Sequence, residues 1–246
     1  MLKRILLLIV LLLISTYLVV AITAFNRKPA GQVCHDMELV IRDTAYASFI
    51  TKKEVTGILE KKDILPIGKP MDHIRSKTLE KELAQHPLID EVECYKTPSG
   101  KICVEVSQRV PILRVMSTNG ENYYLDNKGE VMPPNAKCIA HLAIVTGKAE
   151  KSFTMRYLYK FGVFLQKNSF WNAQIEQIHV LPGKNIELVP RVGDHLIYLG
   201  KMADFEKKLK RVKAFYERGL NQVGWNKYSR INVEFDNQII CTKREK

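Results

Sequence analysis

One uncharged apolar segment, Ile5–Phe25, constrains this chain more than any other feature of its 246 residues. It is 21 residues long and is interrupted only by the small polar residues Ser15, Thr16 and Thr23. A helix of this length rises about 30 Å, the thickness of a bilayer's hydrocarbon core. The apolar part of a cleavable signal peptide is usually only about 7 to 15 residues long. We therefore expect an uncleaved transmembrane helix that anchors the chain in a membrane.

Charge indicates how the anchored chain is oriented. Lys3 and Arg4 precede the helix, whereas Arg27 and Lys28 follow it, so the small bias of the amino terminus predicts a cytoplasmic tip at residues 1–4. The remainder then faces outside and carries 36 Lys and Arg against 26 Asp and Glu, a net charge of +10. That surplus favours anionic neighbours without selecting one. A membrane-tethered nucleic-acid binder would need a cytoplasmic domain, so the predicted topology argues against nucleic acid.

The first extracytoplasmic part shows the order β-α-α-β-β. An alternating stretch, Met37–Arg42, predicts a strand. Thr51 and Glu54 form a capping box at a helix start, and a second helical pattern ends before His86 and Pro87. Two more strands are predicted at Ile89–Lys96 and Ile102–Gln108.

The turn between those two strands determines whether Cys94 and Cys103 can form a disulfide. Thr97–Gly100 suits a type I turn with Pro at its second position and a left-handed Gly at its fourth. This register sets Cys94 opposite Val104 and Tyr95 opposite Cys103, so the two thiols point to opposite sides and should not form a disulfide. None of the cysteines has the spacing of a zinc or redox motif. The five cysteines are Cys34, Cys94, Cys103, Cys138 and Cys241.

Residues beyond Pro111 predict a mixed, β-rich region with two helices. Ser152 is expected to cap the first helix, whose inward face would hold Phe153, Tyr157, Phe161 and Phe164 or Leu165. The second starts at Asp204, with Phe205, Leu209, Val212 and Tyr216 inward. Its basic side chains are expected to face solvent: Lys207, Lys208, Lys210, Arg211 and Lys213.

Strands fill the rest of this region. A hairpin is predicted around the turn Asp126–Gly129, and a meander follows the first helix. The meander strands are Ile175–Val180, Asn185–Pro190 and His195–Leu199. The chain is expected to finish with the strands Arg230–Phe235 and Gln238–Thr242.

We find none of the sequence patterns that enzymes of common classes carry. The six histidines stand singly, and there is no phosphate-binding Gly-rich loop, GxSxG or HExxH motif. Asp90, Glu91 and Glu93 share one strand and are interpreted as a solvated face rather than a catalytic pair. We predict no catalytic, cofactor-binding or metal-binding residue and no small-molecule substrate. The alternative, an anchored extracytoplasmic enzyme or ligand-binding protein, would require a convergent polar pocket in the β-rich region.

The predicted last strand, Gln238–Thr242, has a more specific consequence. A strand at the end of a sheet leaves one row of backbone groups unpaired, and such an edge can accept a strand from another polypeptide. Charged residues commonly protect edges, and Lys243–Lys246 could blunt this one. The sequence is compatible both with an edge that accepts a partner strand and with an edge that these charged residues protect.

The chain resembles the bacterial cell-division family FtsQ/DivIB over most of its length. The most specific segments are His86–Cys94 and Ile102–Pro111, which are similar to the family's strand-turn-strand signature ending in "Er-x-P". Tyr124–Val131 is similar to the hairpin that opens the family's β domain, and Arg230–Phe235 stands where the family has a strand ending in Asp-Leu-Arg-Tyr. Outer-membrane barrel assembly factors share the first module but end in a barrel of many strands, which this chain lacks.

Two departures limit what the resemblance transfers. Gln108 stands where the family has Glu, and Asn232–Phe235 replaces the Asp-Leu-Arg-Tyr run. Any contact that this family Arg makes is therefore not carried over.

The resemblance implies a non-enzymatic scaffold of the division machinery in the bacterial cytoplasmic membrane, at the septum. Its expected partners are other membrane division proteins, namely FtsB-like and FtsL-like coiled-coil proteins. The implied fold class is α+β: a transmembrane helix (5–25), a tether (26–36), a β-α-α-β-β POTRA domain (37–110) and a β domain with two helices (111–246). From the edge and the family position together, the expected partner-binding residues are Phe235, Gln238, Ile239, Ile240 and Cys241.

Overall fold

The computed structural model describes residues 2–25, 31–42, 49–134 and 141–245. Helix α1 (Leu2–Phe25) begins the chain. Within it, Lys3–Ile22 is long and apolar enough to cross a membrane, with a mean hydropathy of 3.1. This confirms the expected amino-terminal apolar helix. Part of the predicted tether and Cys138 lie outside the described residues.

A three-stranded sheet with two helices follows the anchor. Its elements are β1 (Asp36–Arg42), α2 (Lys52–Lys61), α3 (Ser76–Ala84), β2 (Ile89–Lys96) and β3 (Lys101–Gln108). The strand order is β1-β3-β2, with β1 parallel and β2 antiparallel to β3. The predicted β-α-α-β-β order is confirmed.

Local chemistry in this unit explains its elements. The hydroxyl of Thr51 accepts from the Glu54 amide at 3.2 Å, and the Glu54 carboxylate accepts from the Thr51 amide at 2.9 Å, so the predicted capping box starts α2. The β2–β3 register pairs Cys94 with Val104 and Tyr95 with Cys103, as the turn predicts. One face of the sheet packs under both helices, with the buried residues Leu39, Val55, Leu59, Leu79, Leu83, Cys94, Ile102, Val104 and Val106.

The rest of the chain forms a nine-stranded mixed sheet. Its strands are β4 (Pro111–Met116), β5 (Asn122–Asp126), β6 (Val131–Met132), β7 (Ile144–Gly147), β8 (Ile175–Val180), β9 (Ile186–Pro190), β10 (Leu196–Gly200), β11 (Tyr228–Asn232) and β12 (Ile240–Lys243). The spatial order is β12-β11-β10-β9-β8-β7-β4-β5-β6. The β5–β6 hairpin and the β8-β9-β10 meander are as predicted. Strands β4 and β7, which pair in parallel, were not predicted from the sequence.

The first helical segment of this region differs from its prediction. It comprises α4 (Lys151–Phe153), a π-helical turn (Thr154–Leu158) and α5 (Tyr159–Lys167). Ser152 is not the cap, because the helix already begins at Lys151 after Glu150. A π turn closes i to i+5, so Leu158 follows Phe153 on the buried face, and the predicted inward Tyr157 is 46% exposed. The short helix α6 (Ser169–Gln174), which the pattern did not predict, comes next.

The second helical segment follows its predicted inward face but not its outer one. It comprises α7 (Phe205–Phe215), a second π turn (Tyr216–Leu220) and α8 (Asn221–Val223). Lys208, predicted to face solvent, is only 7% exposed, and its Nζ donates to the carbonyls of Leu199 and Lys201 at 2.8 Å each. Burial lowers the pKa of this Lys. A long side chain can lie along an apolar face and still place its ammonium on backbone carbonyls at the end of a strand.

The two sheets meet through Arg109. Its Nε and Nη2 donate to Oδ2 of the buried Asp126 at 2.8 and 2.6 Å, and its Nη1 donates to the carbonyls of Pro87 and Val131 at 3.3 Å. Asp90, interpreted from sequence as part of a solvated face, accepts from Lys128 of the β5–β6 turn at 2.6 Å. A small apolar cluster packs beside these contacts: Phe49, Leu88, Tyr124 and Met132, with Leu142 against it.

Candidate functional site

Strand β12 lies at one end of the nine-stranded sheet. It runs antiparallel to β11, with Ile231 opposite Cys241 and Asn232 opposite Ile240. Within the described parts of the chain, no strand pairs with the other side of β12. The position therefore has the geometry that strand addition requires.

The five predicted partner-binding residues divide between two environments. Phe235 is 49% exposed, Ile240 is 48% exposed, and Gln238 also faces solvent. Ile239 and Cys241 are half-buried and pack against the main core. Only Ile240 and Cys241 lie within β12, whereas Phe235, Gln238 and Ile239 belong to the segment that leads into it, so the last strand begins two residues later than predicted. Within β12, Ile240 faces solvent and Cys241 packs inward, as alternation along a strand requires. Burial raises the pKa of the Cys241 thiol, which suits an apolar packing role.

Arg211 positions the segment that leads into β12, a role that the sequence analysis missed. Its Nη2 donates to the carbonyl of Val233 at 2.7 Å and to that of Phe235 at 2.9 Å. Its Nη1 lies 3.5 Å from the Asp236 carboxylate. Arg211 was predicted to face solvent, and only the tertiary path of residues 233–236 over α7 reveals these acceptors. These hydrogen bonds from Arg211 hold the backbone of the exposed Phe235 beside the edge.

A shallow cleft of about 420 Å³ continues the edge between the second π turn and the β11–β12 connection. Phe215 and Gly219 line one side, and Gln238 and Ile239 line the other. Arg218 is exposed at the rim, and no described carboxylate lies within ion-pair distance of it. The cleft can receive side chains of a chain that lies along β12.

Charge is divided unevenly between the two sheets. Residues 32–107 carry 11 Lys and Arg against 13 Asp and Glu, a net charge of −2. Residues 109–246 carry 23 against 13, a net charge of +10. The basic surplus that composition shows therefore belongs to the nine-stranded region, which also holds the open edge.

Near this end of the sheet, burial in the core accounts for the shifted pKa values of His195 and Tyr216. His195 is 1% exposed, and its Nε2 lies 2.7 Å from the Tyr216 hydroxyl. Burial lowers the pKa of His195 and raises that of Tyr216. Across the described residues, no group of His, Cys, Asp and Glu side chains is arranged to hold a metal ion.

These features define a class: a protein with one membrane-spanning helix, a small β-α-α-β-β unit and a mixed sheet that ends in an open strand. Residues 110–242, more than half of the chain, match the family model described as FtsQ/DivIB, C-terminal related, and residues 32–107 match a POTRA-like domain. The chain therefore belongs to the FtsQ/DivIB C-terminal related family, which confirms the resemblance.

One relative is the cell division protein FtsQ of Rhodothermus marinus. It is 27% identical over 169 residues, which cover 64% of this chain and 62% of the relative. The matched part thus spans less than two thirds of that protein's length.

Proposed function

We propose that the protein is a non-enzymatic, membrane-anchored scaffold of the cell-division machinery. In this proposal it recruits and regulates septal wall synthesis through protein–protein contacts. Its partners are membrane division proteins of the FtsB-like and FtsL-like coiled-coil type. One contact is the addition of a partner strand to β12, and the open outer side of β12 is the observation that carries the proposal.

The edge offers two kinds of recognition. Backbone groups along β12 provide affinity that depends little on the partner's sequence, whereas Phe235, Gln238 and Ile240 provide side-chain selectivity. The cleft beside Arg218 adds a basic boundary. The charged residues Lys243 and Arg244 flank the edge, and in our proposal they bias partner choice rather than close the strand.

In this proposal the two domains lie at different distances from the membrane. The POTRA domain (37–110) remains near the bilayer, because the tether of residues 26–36 can extend by only about 3.5 Å per residue. The β domain (111–246) presents β12 farther out. We place the protein in the bacterial cytoplasmic membrane at the septum, with residues 1–4 in the cytoplasm.

Photocrosslinking in cells tests the edge directly. A photoreactive residue at Gln238 or Ile240 should capture a small coiled-coil membrane protein, identified by mass spectrometry. A probe at Met116, which is 49% exposed at the end of β4, is the matched control and should not capture it. Equal capture from Met116 and Ile240, or no capture from the edge, would overturn strand addition at β12.

A pair of variants separates binding from folding. Ile240→Lys adds a charge of the kind that protects natural edges and should reduce recovery of the coiled-coil partner at least tenfold. Met116→Lys makes the same change at an equally exposed residue and should leave recovery unchanged. Thermal denaturation checks that both variants fold, and normal recovery with a folded Ile240→Lys would contradict the proposal.

A further inference from the structure

A second concave site lies in the nine-stranded region, on elements other than the β12 edge. Three segments line it: the helical residues from Ser152 to Tyr157, the turn between β8 and β9, and the connection between β10 and α7. Its volume is about 490 Å³. The lining residues are Ser152, Phe153, Arg156, Tyr157, Gly183, Lys184, Lys201 and Ala203.

The charge of this cleft is strongly positive. Each of the three segments contributes one cation, Arg156, Lys184 or Lys201, and no carboxylate lines the cleft. Glu150, outside the lining, lies 3.3 Å from Lys184 Nζ. Lys201 donates to the carbonyl of Gly183, and an ammonium group has further donors available for a ligand. By contrast, the cleft near His179 contains Glu121 and no Lys or Arg.

The first π turn gives the cleft an aromatic wall. The extra residue in this turn moves Tyr157 from the buried face to the rim, where it is 46% exposed. Its ring centroid lies 5.3 Å from that of Phe153, which is buried and forms the inner wall. Lys184 Nζ stands 5.8 Å above the Phe153 ring. A ligand with a flat or ring-shaped body can thus contact Tyr157 while its charge lies among the cations.

The β8–β9 turn fixes Lys184 in an uncommon backbone conformation. Gly183 and Lys184 both have positive φ angles, 76° and 62°. Left-handed backbone is costly for a residue with a side chain, and here the hydrogen bonds between Leu181 and Asn185 and between Lys184 and Leu181 hold the turn. The turn therefore fixes the backbone position from which the Lys184 side chain reaches the cleft.

We propose that this cleft binds a phosphate ester attached to a ring or chain that lies against Tyr157. Several separate cations suit a group that carries more than one negative charge and several acceptor oxygens. The net charge of +10 in residues 109–246 raises the local concentration of such anions. The site is independent of strand addition and does not rest on the proposed scaffold function.

Calorimetric titration of the full chain in phosphatidylcholine nanodiscs tests the site, with pyrophosphate as the probe. We expect saturable binding that weakens as salt rises. Lys184→Gln combined with Lys201→Gln should raise the Kd at least tenfold. The control, Lys160→Gln with Lys167→Gln, removes the same charge from exposed residues of the adjoining helix and should change the Kd less than twofold.

Further probes distinguish the source of the phosphate. Tighter binding of glucose 1-phosphate than of dihexanoyl phosphatidic acid would support the site with a soluble sugar phosphate, and the reverse order would support it with a lipid headgroup. Equal losses in the cleft and control variants, with both pairs folded by thermal denaturation, would overturn the site. Tighter binding of hexaglutamate than of pyrophosphate would overturn the phosphate assignment.

Discussion

The two edges of the nine-stranded sheet differ in whether other parts of the described chain cover them. At the β6 edge, Arg109 donates to the Val131 carbonyl, and the Met132 side chain is buried in one cluster with Phe49. At the β12 edge, the described residues provide no such cover, and Ile240 is 48% exposed. An edge must be paired, covered or protected to avoid unwanted association. The first edge is covered from within the chain, whereas no described segment covers the second, and for this reason our proposal places the partner strand at β12.

The largest effect is expected from Arg109→Ala, which tests the covered edge. Removal of the guanidinium leaves Asp126, which is 1% exposed, without its charged partner, so the free energy of unfolding should fall by about 3 to 5 kcal/mol. Urea denaturation of the full chain in detergent micelles measures the loss. Lys167→Ala, an exposed residue of α5, is the control, with an expected change within about 0.5 kcal/mol. A loss below about 1 kcal/mol for Arg109→Ala would mean that the two sheets do not depend on this contact.

The next prediction compares the edges by the same kind of truncation. Met132, at the covered edge, is 0% exposed, so Met132→Ala should destabilise the chain by about 2 to 4 kcal/mol through loss of packing. Ile240→Ala should cost only about 0.5 kcal/mol or less. The same urea experiment measures both. Similar losses at the two positions would show that β12 is packed in the free protein and would contradict an open edge.

A smaller effect is expected at Lys208, which packs against the end of β10 and is separated from the open edge by β11. Lys208→Ala leaves the carbonyls of Leu199 and Lys201 without their donor, so we expect a loss of about 1 to 3 kcal/mol. Lys207→Ala alters the neighbouring residue, whose side chain is 80% exposed, and should change stability by about 0.5 kcal/mol or less. Thermal denaturation of the two variants provides the comparison, and equal midpoints would show that the buried ammonium contributes nothing.

The smallest expected effect is pH-dependent and comes from His195. Burial lowers its pKa in the folded chain below the ordinary value of about 6.5, so the unfolded chain binds more protons between the two pKa values. Stability should therefore fall as pH drops below about 6.5, by at most about 1.4 kcal/mol per pH unit for this proton. Asp194 favours the charged form, whereas Arg244 opposes it.

The matched variant for this test is His195→Gln, which can still bond to the Tyr216 hydroxyl but cannot titrate. Its stability should depend less steeply on pH between pH 5 and 7 than that of the parent chain. His86, whose pKa burial also lowers, accounts for part of the slope that remains. Identical slopes for the parent and the variant would remove His195 as a source of pH sensitivity.

Sequence reasoning succeeded where short-range chemistry decides the structure. The capping box at Thr51, the turn at Thr97–Gly100 and the inward face of α7 all depend on residues a few positions apart. It failed where the outcome depends on a distant partner. Tyr157 turned outward because a π turn adds a residue, and Lys208 turned inward because two carbonyls lay within reach. Neither condition appears in the local pattern.

The candidate site shows the same division. The sequence predicted a last strand and named five residues on or beside it, and alternation along a strand already implied two faces. Which face packs against the core was decided by the pairing of β12 with β11, because Ile231 directs its partner Cys241 inward and leaves Ile240 exposed.

By itself, the sequence determined the membrane helix, the β-α-α-β-β order and the family, because apolar length, caps, turns and motifs are properties of neighbouring residues. Only the tertiary structure decided which edge of the nine-stranded sheet is covered, which cations are buried, and where three segments distant in sequence form a basic cleft. Those outcomes require segments such as Pro87 and Val131 to meet around Arg109. Their meeting depends on packing of the whole chain, which no local pattern encodes.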